Sequence, residues 1–113
     1  MNLEEIVTQL QLKRLTNEKD FSQIYAEGGY ASDLLSCVMA GAPHHGIWVT
    51  LQCHMNVIAV AQLLELSGVI ITEGAMPDEA TIARANDENI NLLLSSENTF
   101  TIVGKLWELG IRN

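Results

Sequence analysis

Three consecutive stretches decide the fold: Ile47-Trp-Val-Thr-Leu51, Val57-Ile-Ala-Val-Ala-Gln-Leu-Leu-Glu-Leu66 and Val69-Ile-Ile-Thr72. The first is β-branched and aromatic, the composition that fits a pleated surface. The third is apolar throughout, the mark of a strand covered on both faces. The segment between them is apolar on almost every side of a helix and is closed by Gly68. A strand, a helix and a strand of this kind call for parallel pairing with the helix lying on the sheet.

Working outward, the same alternation continues. Pro77-Asp78-Glu79 opens a helix reaching about Asn89, Ile90 to Leu94 reads as another buried strand, and Ser96-Glu97 begins a last helix. That helix is expected to bury Phe100, Val103, Leu106 and Trp107 and to stop at Gly110. Upstream, Asn2 and Glu5 have capping-box spacing before Leu3, Ile6, Val7 and Leu10, which predicts a helix over 3–10. Lys13 to Thr16 and Ser22 to Ala26 read as short strands, the second running into Glu27-Gly28-Gly29. Ser32 is placed to cap a helix carrying Leu34, Leu35, Val38 and Met39 and ending at Gly41. The expected fold is α/β: a layered sheet of about five mostly parallel strands with helices on both faces, in a single domain over 1–113.

Composition narrows the function. Six Lys and Arg stand against 14 Asp and Glu, a net charge of -8. Nucleic acid and anionic membranes both need clustered cations, so neither is an expected partner. Cys37 and Cys53 make no disulfide framework, and the acidic start Met1-Asn-Leu-Glu-Glu5 lacks the basic and apolar regions of a signal peptide. The expectation is a reduced, cytoplasmic protein. No Cys-x-x-Cys or paired His spacing occurs, and the adjacent pair Cys53-His54 is poor chelate geometry, so no metal and no cofactor are expected. Met76 and the other methionines read as core filling.

Ligands of a parallel sheet gather outside the carboxyl ends of its strands. Those ends carry Glu27-Gly-Gly-Tyr-Ala-Ser-Asp33, Gln52-Cys-His-Met-Asn56, Glu73-Gly74 and Ser95-Ser96. Gly28-Gly29 before a helix start has the makings of an anion nest, or equally of a tight strand-to-helix turn. His54 is either a hydrogen-bonded cap or a ligand contact. The candidate ligand-binding set is Gly28, Gly29, Tyr30, Ser32, Asp33, Gln52, His54, Asn56 and Glu73, with no catalytic residue assigned. The helix over 57–66 is either central in its layer or a homodimer surface.

The stretches Glu27-Gly-Gly-Tyr-Ala-Ser-Asp-Leu-Leu-Ser36, Trp48-Val-Thr-Leu-Gln-Cys-His-Met-Asn-Val-Ile-Ala-Val60, Ile70-Ile-Thr-Glu-Gly74 and Pro77-Asp78 together resemble the DRTGG domain. The likeness takes in the ending Val103-Gly-Lys-Leu-Trp-Glu-Leu-Gly110 and so covers essentially the whole chain. The family is a regulatory-type module of some phosphotransacetylases and of pyrophosphatases that also carry CBS domains. It is similar to the N-terminal domain of HPr kinase/phosphorylase. Of the naming motif only Gly28-Gly29 is present, with Ala26-Glu27 where Arg-Thr would stand. The resemblance implies an α/β module that tends to dimerise and lacks the catalytic part of HPr kinase. On this basis the expected function is non-catalytic sensing of a small anion or adenine nucleotide, as a homodimer. The alternatives are an interaction module serving a partner enzyme and a small hydrolase using His54 and Asp33.

Overall fold

The structure, a computed structural model, describes residues 1–112. Helix α1 (Leu3–Leu10) is held at its start by both halves of the capping box: Asn2 Oδ1 accepts the Glu5 N–H at 2.8 Å, and Glu5 reaches back to the Asn2 N–H. Then follow β1 (Lys13–Arg14), β2 (Gly29–Ala31), α2 (Leu35–Gly41), β3 (Ile47–Thr50), α3 (Asn56–Leu63), β4 (Gly68–Ile71), α4 (Glu79–Asp87), β5 (Leu92–Leu94) and α5 (Thr99–Glu108).

The five strands lie in the order β1-β5-β4-β3-β2. β2 through β5 are parallel in unbroken succession, with Tyr30 beside Trp48, Trp48 beside Val69 and Val69 beside Leu92. β1 pairs antiparallel on the outer side of β5. Alternate residues of each strand feed two cores. Trp48, Val69, Ile71 and Leu92 meet α2, α3 and α4 on one face, whereas Ile47, Val49, Ile70 and Leu93 meet α1 and α5 on the other. The α/β expectation, with its mostly parallel sheet and helices on both faces, is met. None of the described helices is long and apolar enough to cross a membrane.

Residues 22–26 do not form the expected strand. Phe21–Gln23 make a 3₁₀ turn, because Asp20 accepts the Ser22 N–H at 2.9 Å and offers the backbone a local bond in place of a ladder. Only Tyr25 bridges Asn2, and the strand forms after the glycines. Gly68 begins β4 and does not close a helix; α3 ends at Leu63 with Leu64 as its cap, and Glu65 follows at a φ of 53°.

α3 is buried through Val57, Ile58, Val60 and Ala61 because it lies between α2 and α4, which explains an apolar surface on several sides. In α5 the expectation holds for Leu106 alone of the four residues. Ile102 and Leu106 face the core, with Leu109 packed beside them, while Phe100 is 90% exposed and Trp107 54%. Two apolar stripes with helical spacing share this helix, and spacing alone does not say which one the sheet takes.

Candidate functional site

The register of the sheet sorts the candidate residues between two rims. Gly29 pairs with Ile47, the first residue of β3, so Gly28-Gly29 lie at the amino ends of the parallel strands. Ser32, Asp33, Gln52, His54 and Glu73 follow the carboxyl ends of β2, β3 and β4, with Asn56 opening α3. The double glycine is therefore not a strand-to-helix turn. It leads into β2, and α2 begins only beyond the far end of that strand, so no free helix N–H groups adjoin it.

What the glycines do instead is pack. The Gly28 carbonyl accepts the Ile47 N–H at 2.9 Å, and a Cβ on Gly28 (φ 155°) would stand 3.0 Å from Pro43 Cγ. Gly46 is tighter: its Cβ would lie 2.8 Å from the Pro43 carbonyl oxygen and 3.2 Å from that of Gly28. Ser67 Oγ, buried, reaches the carbonyls of Tyr25 (2.7 Å) and His45 (2.8 Å) and ties this rim together. Tyr30 turns its ring toward α2, where Gly41 leaves room for it.

On the carboxyl rim most polar groups are already committed. Asp33 Oδ1 accepts both the Thr50 hydroxyl and the Leu51 N–H at 2.8 Å, anchoring the segment after β2 to the end of β3. Ser32 Oγ accepts the Leu34 N–H, and its carbonyl accepts the indole N–H of the fully buried Trp48. Between β4 and β5 the chain leaves toward opposite faces, α4 to one and α5 to the other. Such a divergence is where a parallel sheet opens a crevice. Here it is sealed: Glu73 Oε2 accepts the Thr99 N–H at 2.8 Å, the Glu73 N–H donates to the Glu97 carbonyl, and the Thr72 and Thr99 hydroxyls meet at 2.7 Å.

The open part lies between the segment after β3 and the start of α4. A cleft of about 680 Å³ is lined by Leu51, Gln52, Cys53, His54, Met55, Met76, Asp78 and Thr81. His54 Nδ1 accepts the Asn56 N–H at 3.1 Å, which leaves the other ring nitrogen to donate. Asp78 caps α4 by accepting the Thr81 N–H at 2.8 Å. That bond, the Thr81 hydroxyl and the nearby His54 hold its carboxyl below the usual aspartate range. The positive end of α4 is thus already matched by a carboxylate. Leu51 and Met76, both exposed, give the cleft apolar walls, so Met76 is no core filler.

Of the candidate set, the structure brings Gln52 and His54 to this cleft with Asn56 beside them. Ser32, Asp33 and Glu73 share the rim as structural ties, and Gly28, Gly29 and Tyr30 lie apart. Sequence reasoning missed Asp78 and Thr81; the Pro77-Asp78 helix opening was their signal, since a helix start after β4 must lie on the same rim as the end of β3. Among the described residues no group of three His, Cys, Asp or Glu is placed to hold a metal ion.

No protein-family model matches the chain, and no curated protein matches it. Among solved structures it is similar to the CBS and DRTGG domains of the regulatory region of Clostridium perfringens pyrophosphatase, a crystal structure complexed with the activator diadenosine tetraphosphate. The TM-score is 0.75 at 16% identity, over 92% of this chain and 45% of that one, so the chain spans under half of its neighbour. What the two have in common is the fold.

Proposed function

We propose that this chain is a non-catalytic regulatory module that senses a small ligand in the cleft between the β3–α3 segment and the start of α4. The observation that carries the reading is the contrast along one rim. Asp33, Ser32 and Glu73 are spent on backbone ties, whereas Gln52, His54 and Asp78 line an open cavity. The walls suit a flat ring with polar edges: Leu51, Met55 and Met76 against its faces, Gln52 and His54 at its rim. A nucleotide is the favoured class, with its phosphates directed to solvent because Asp78 repels them at the helix end. The neighbour's activator, a dinucleotide, agrees with that class. The groups a hydrolase would use are engaged elsewhere, His54 Nδ1 by Asn56 and Asp33 Oδ1 by Thr50 and Leu51.

Thermal melting against a panel of nucleosides, nucleotides, inorganic phosphates and carboxylates tests this. A ligand at a hundred times its dissociation constant adds about 2.7 kcal/mol of stability. A shift with nucleosides or nucleotides that disappears in His54→Ala and Gln52→Ala supports the cleft. No shift across the panel rejects the sensing role and leaves an interaction module.

A further inference from the structure

The two edges of the sheet differ. β1, on one side, is Lys13-Arg14, charges of the kind that keep other strands away. β2, on the other, is Gly29-Tyr30-Ala31, with no charge, proline or bulge. Its inward bonds fix which groups are left over. The Gly28 carbonyl accepts the Ile47 N–H at 2.9 Å, and the Ser32 N–H donates to the Val49 carbonyl at 3.3 Å. With Gly29 beside Ile47 and Ala31 beside Val49, the parallel ladder turns the N–H and C=O of Gly29 and Ala31 away from β3. No described residue bonds any of these groups.

An apolar groove of about 110 Å³ runs along this edge, between Gly29 and Ala31 on the strand and Val103, Trp107 and Ile111 opposite. Small-molecule sites occupy roughly 300–1,000 Å³, so this one suits side chains delivered from outside better than a free ligand. The unpaired donors and acceptors at its lip specify what delivers them, the backbone of an extended chain. β2 leaves the groove open because its residues on that side are small. A Cβ on Gly29 would stand 3.3 Å from Ile111 Cγ2, and Ala31, two residues on, faces the same way. Arg112 is the only charged side chain lining the groove, and it makes no ion pair among the described residues. Its carbonyl oxygen would lie 3.3 Å from a Cβ on Gly28, which puts Arg112 at the amino end of β2.

We propose that the β2 edge and this groove bind an extended segment of a partner protein, antiparallel to β2, with apolar side chains at alternate positions followed by a carboxylate. The residues opposite Gly29 and Ala31 exchange both main-chain bonds with them. Their side chains turn to the α5 face, where Val103 and Trp107 receive them. The carboxylate meets Arg112, whose Nε donates to the Trp107 carbonyl at 3.1 Å and whose other guanidinium N–H groups remain to donate. A chain of net charge -8 repels an acid elsewhere, so this cation also fixes the direction of the segment. None of these residues lines the ligand cleft, and the inference is independent of the sensing role.

The probes are short peptides selected on the full chain from a random library displayed with free carboxyl ends, then synthesised. They should carry apolar residues two apart and a carboxylate after them. Hydrogen exchange should be fast at the Gly29 and Ala31 amides of the free chain and slowed once peptide is added. Ala31→Pro, which deletes one outward N–H, Trp107→Ala and Arg112→Glu should each weaken binding about tenfold or more with the melting temperature unchanged. N-methylating one alternate set of peptide amides should abolish binding and methylating the other should not, an arm that needs no variant to fold. A carboxyl-amide peptide loses binding where the carboxylate is a chain end and keeps it where it is an acidic side chain. Failure to enrich any peptide, recovery of peptides without a carboxylate, or binding indifferent to N-methylation overturns the proposal. So does binding that survives both Ala31→Pro and Trp107→Ala. Slow exchange at Gly29 and Ala31 in the free chain overturns it equally, since a second copy would then already close the edge.

Discussion

The amino and carboxyl rims of this sheet are built from different residues and are put to opposite uses. At the amino rim Gly28, Gly46, Pro43 and Ser67 are pressed together until no space for a Cβ remains. At the carboxyl rim the longer polar side chains of Gln52, His54 and Asp78 flank an open cleft. A glycine pair in a sequence is therefore ambiguous between two jobs, lining a ligand and letting two backbones touch. Only the register, Gly29 beside Ile47, decides for the second.

That contrast can be broken by mutation. The largest effect is expected at Gly46: Gly46→Ala drives a Cβ into the Pro43 carbonyl, and overpacking of this kind costs about 1–3 kcal/mol, or more where backbone must move. Calorimetry should show the melting temperature lower by roughly 4–8 °C per kcal/mol. Ser67→Ala takes the hydroxyl donor from the Tyr25 carbonyl, while the His45 carbonyl keeps the Glu27 N–H, and should cost about 1–2 kcal/mol in urea unfolding. Glu73→Ala, on the sealed half of the carboxyl rim, removes an acceptor at the start of α5 and should cost about 1 kcal/mol. His54→Ala, on the open half, should stay within about 0.5 kcal/mol of the parent, as exposed positions do. A His54 cost equal to that of Ser67 would erase the distinction between a packed rim and an open one.

Acid gives the smallest and most diffuse effect. Hydrogen bonds from Ser22 and Thr81 hold the carboxyls of Asp20 and Asp78 below their ordinary value of 3.8. A depressed acid stabilises the fold above that value and ceases to do so as the pH falls through its lower folded value. The melting temperature should therefore drop as the pH is taken below 3.8, and by less in Asp78→Asn.

How much of this was legible in the sequence depends on the range of the forces involved. α1 was readable to the residue because Asn2 and Glu5 are three apart and act on each other. The strand-helix-strand unit around Trp48 was readable because burial on both faces leaves a continuous apolar run. The strand expected over 22–26 failed because one side-chain bond from Asp20 outcompeted weak propensity. The glycine rim was misplaced by that same error, since a strand set ahead of Gly28 puts the glycines after a strand when they precede one. The inward stripe of α5 was misassigned because Phe100, Val103 and Trp107 repeat as helically as Ile102 and Leu106. What selects between them is the sheet, which lies far away in the chain.

The pairing of β1 with β5 has a consequence for how the molecule comes into being. Lys13 and Arg14 leave the ribosome before the other strand residues described, yet their partners Leu94 and Leu93 belong to β5, which follows the other four strands. The four parallel strands can zip in order as they emerge, each joining a neighbour already present. α1 can pack on the Phe21 turn and on β3 and β4 as they form, but Lys13 and Arg14 have to wait for β5. A nascent chain stalled before residue 92 would hold an incomplete sheet with the β4 edge bare, the form on which a chaperone or protease would act.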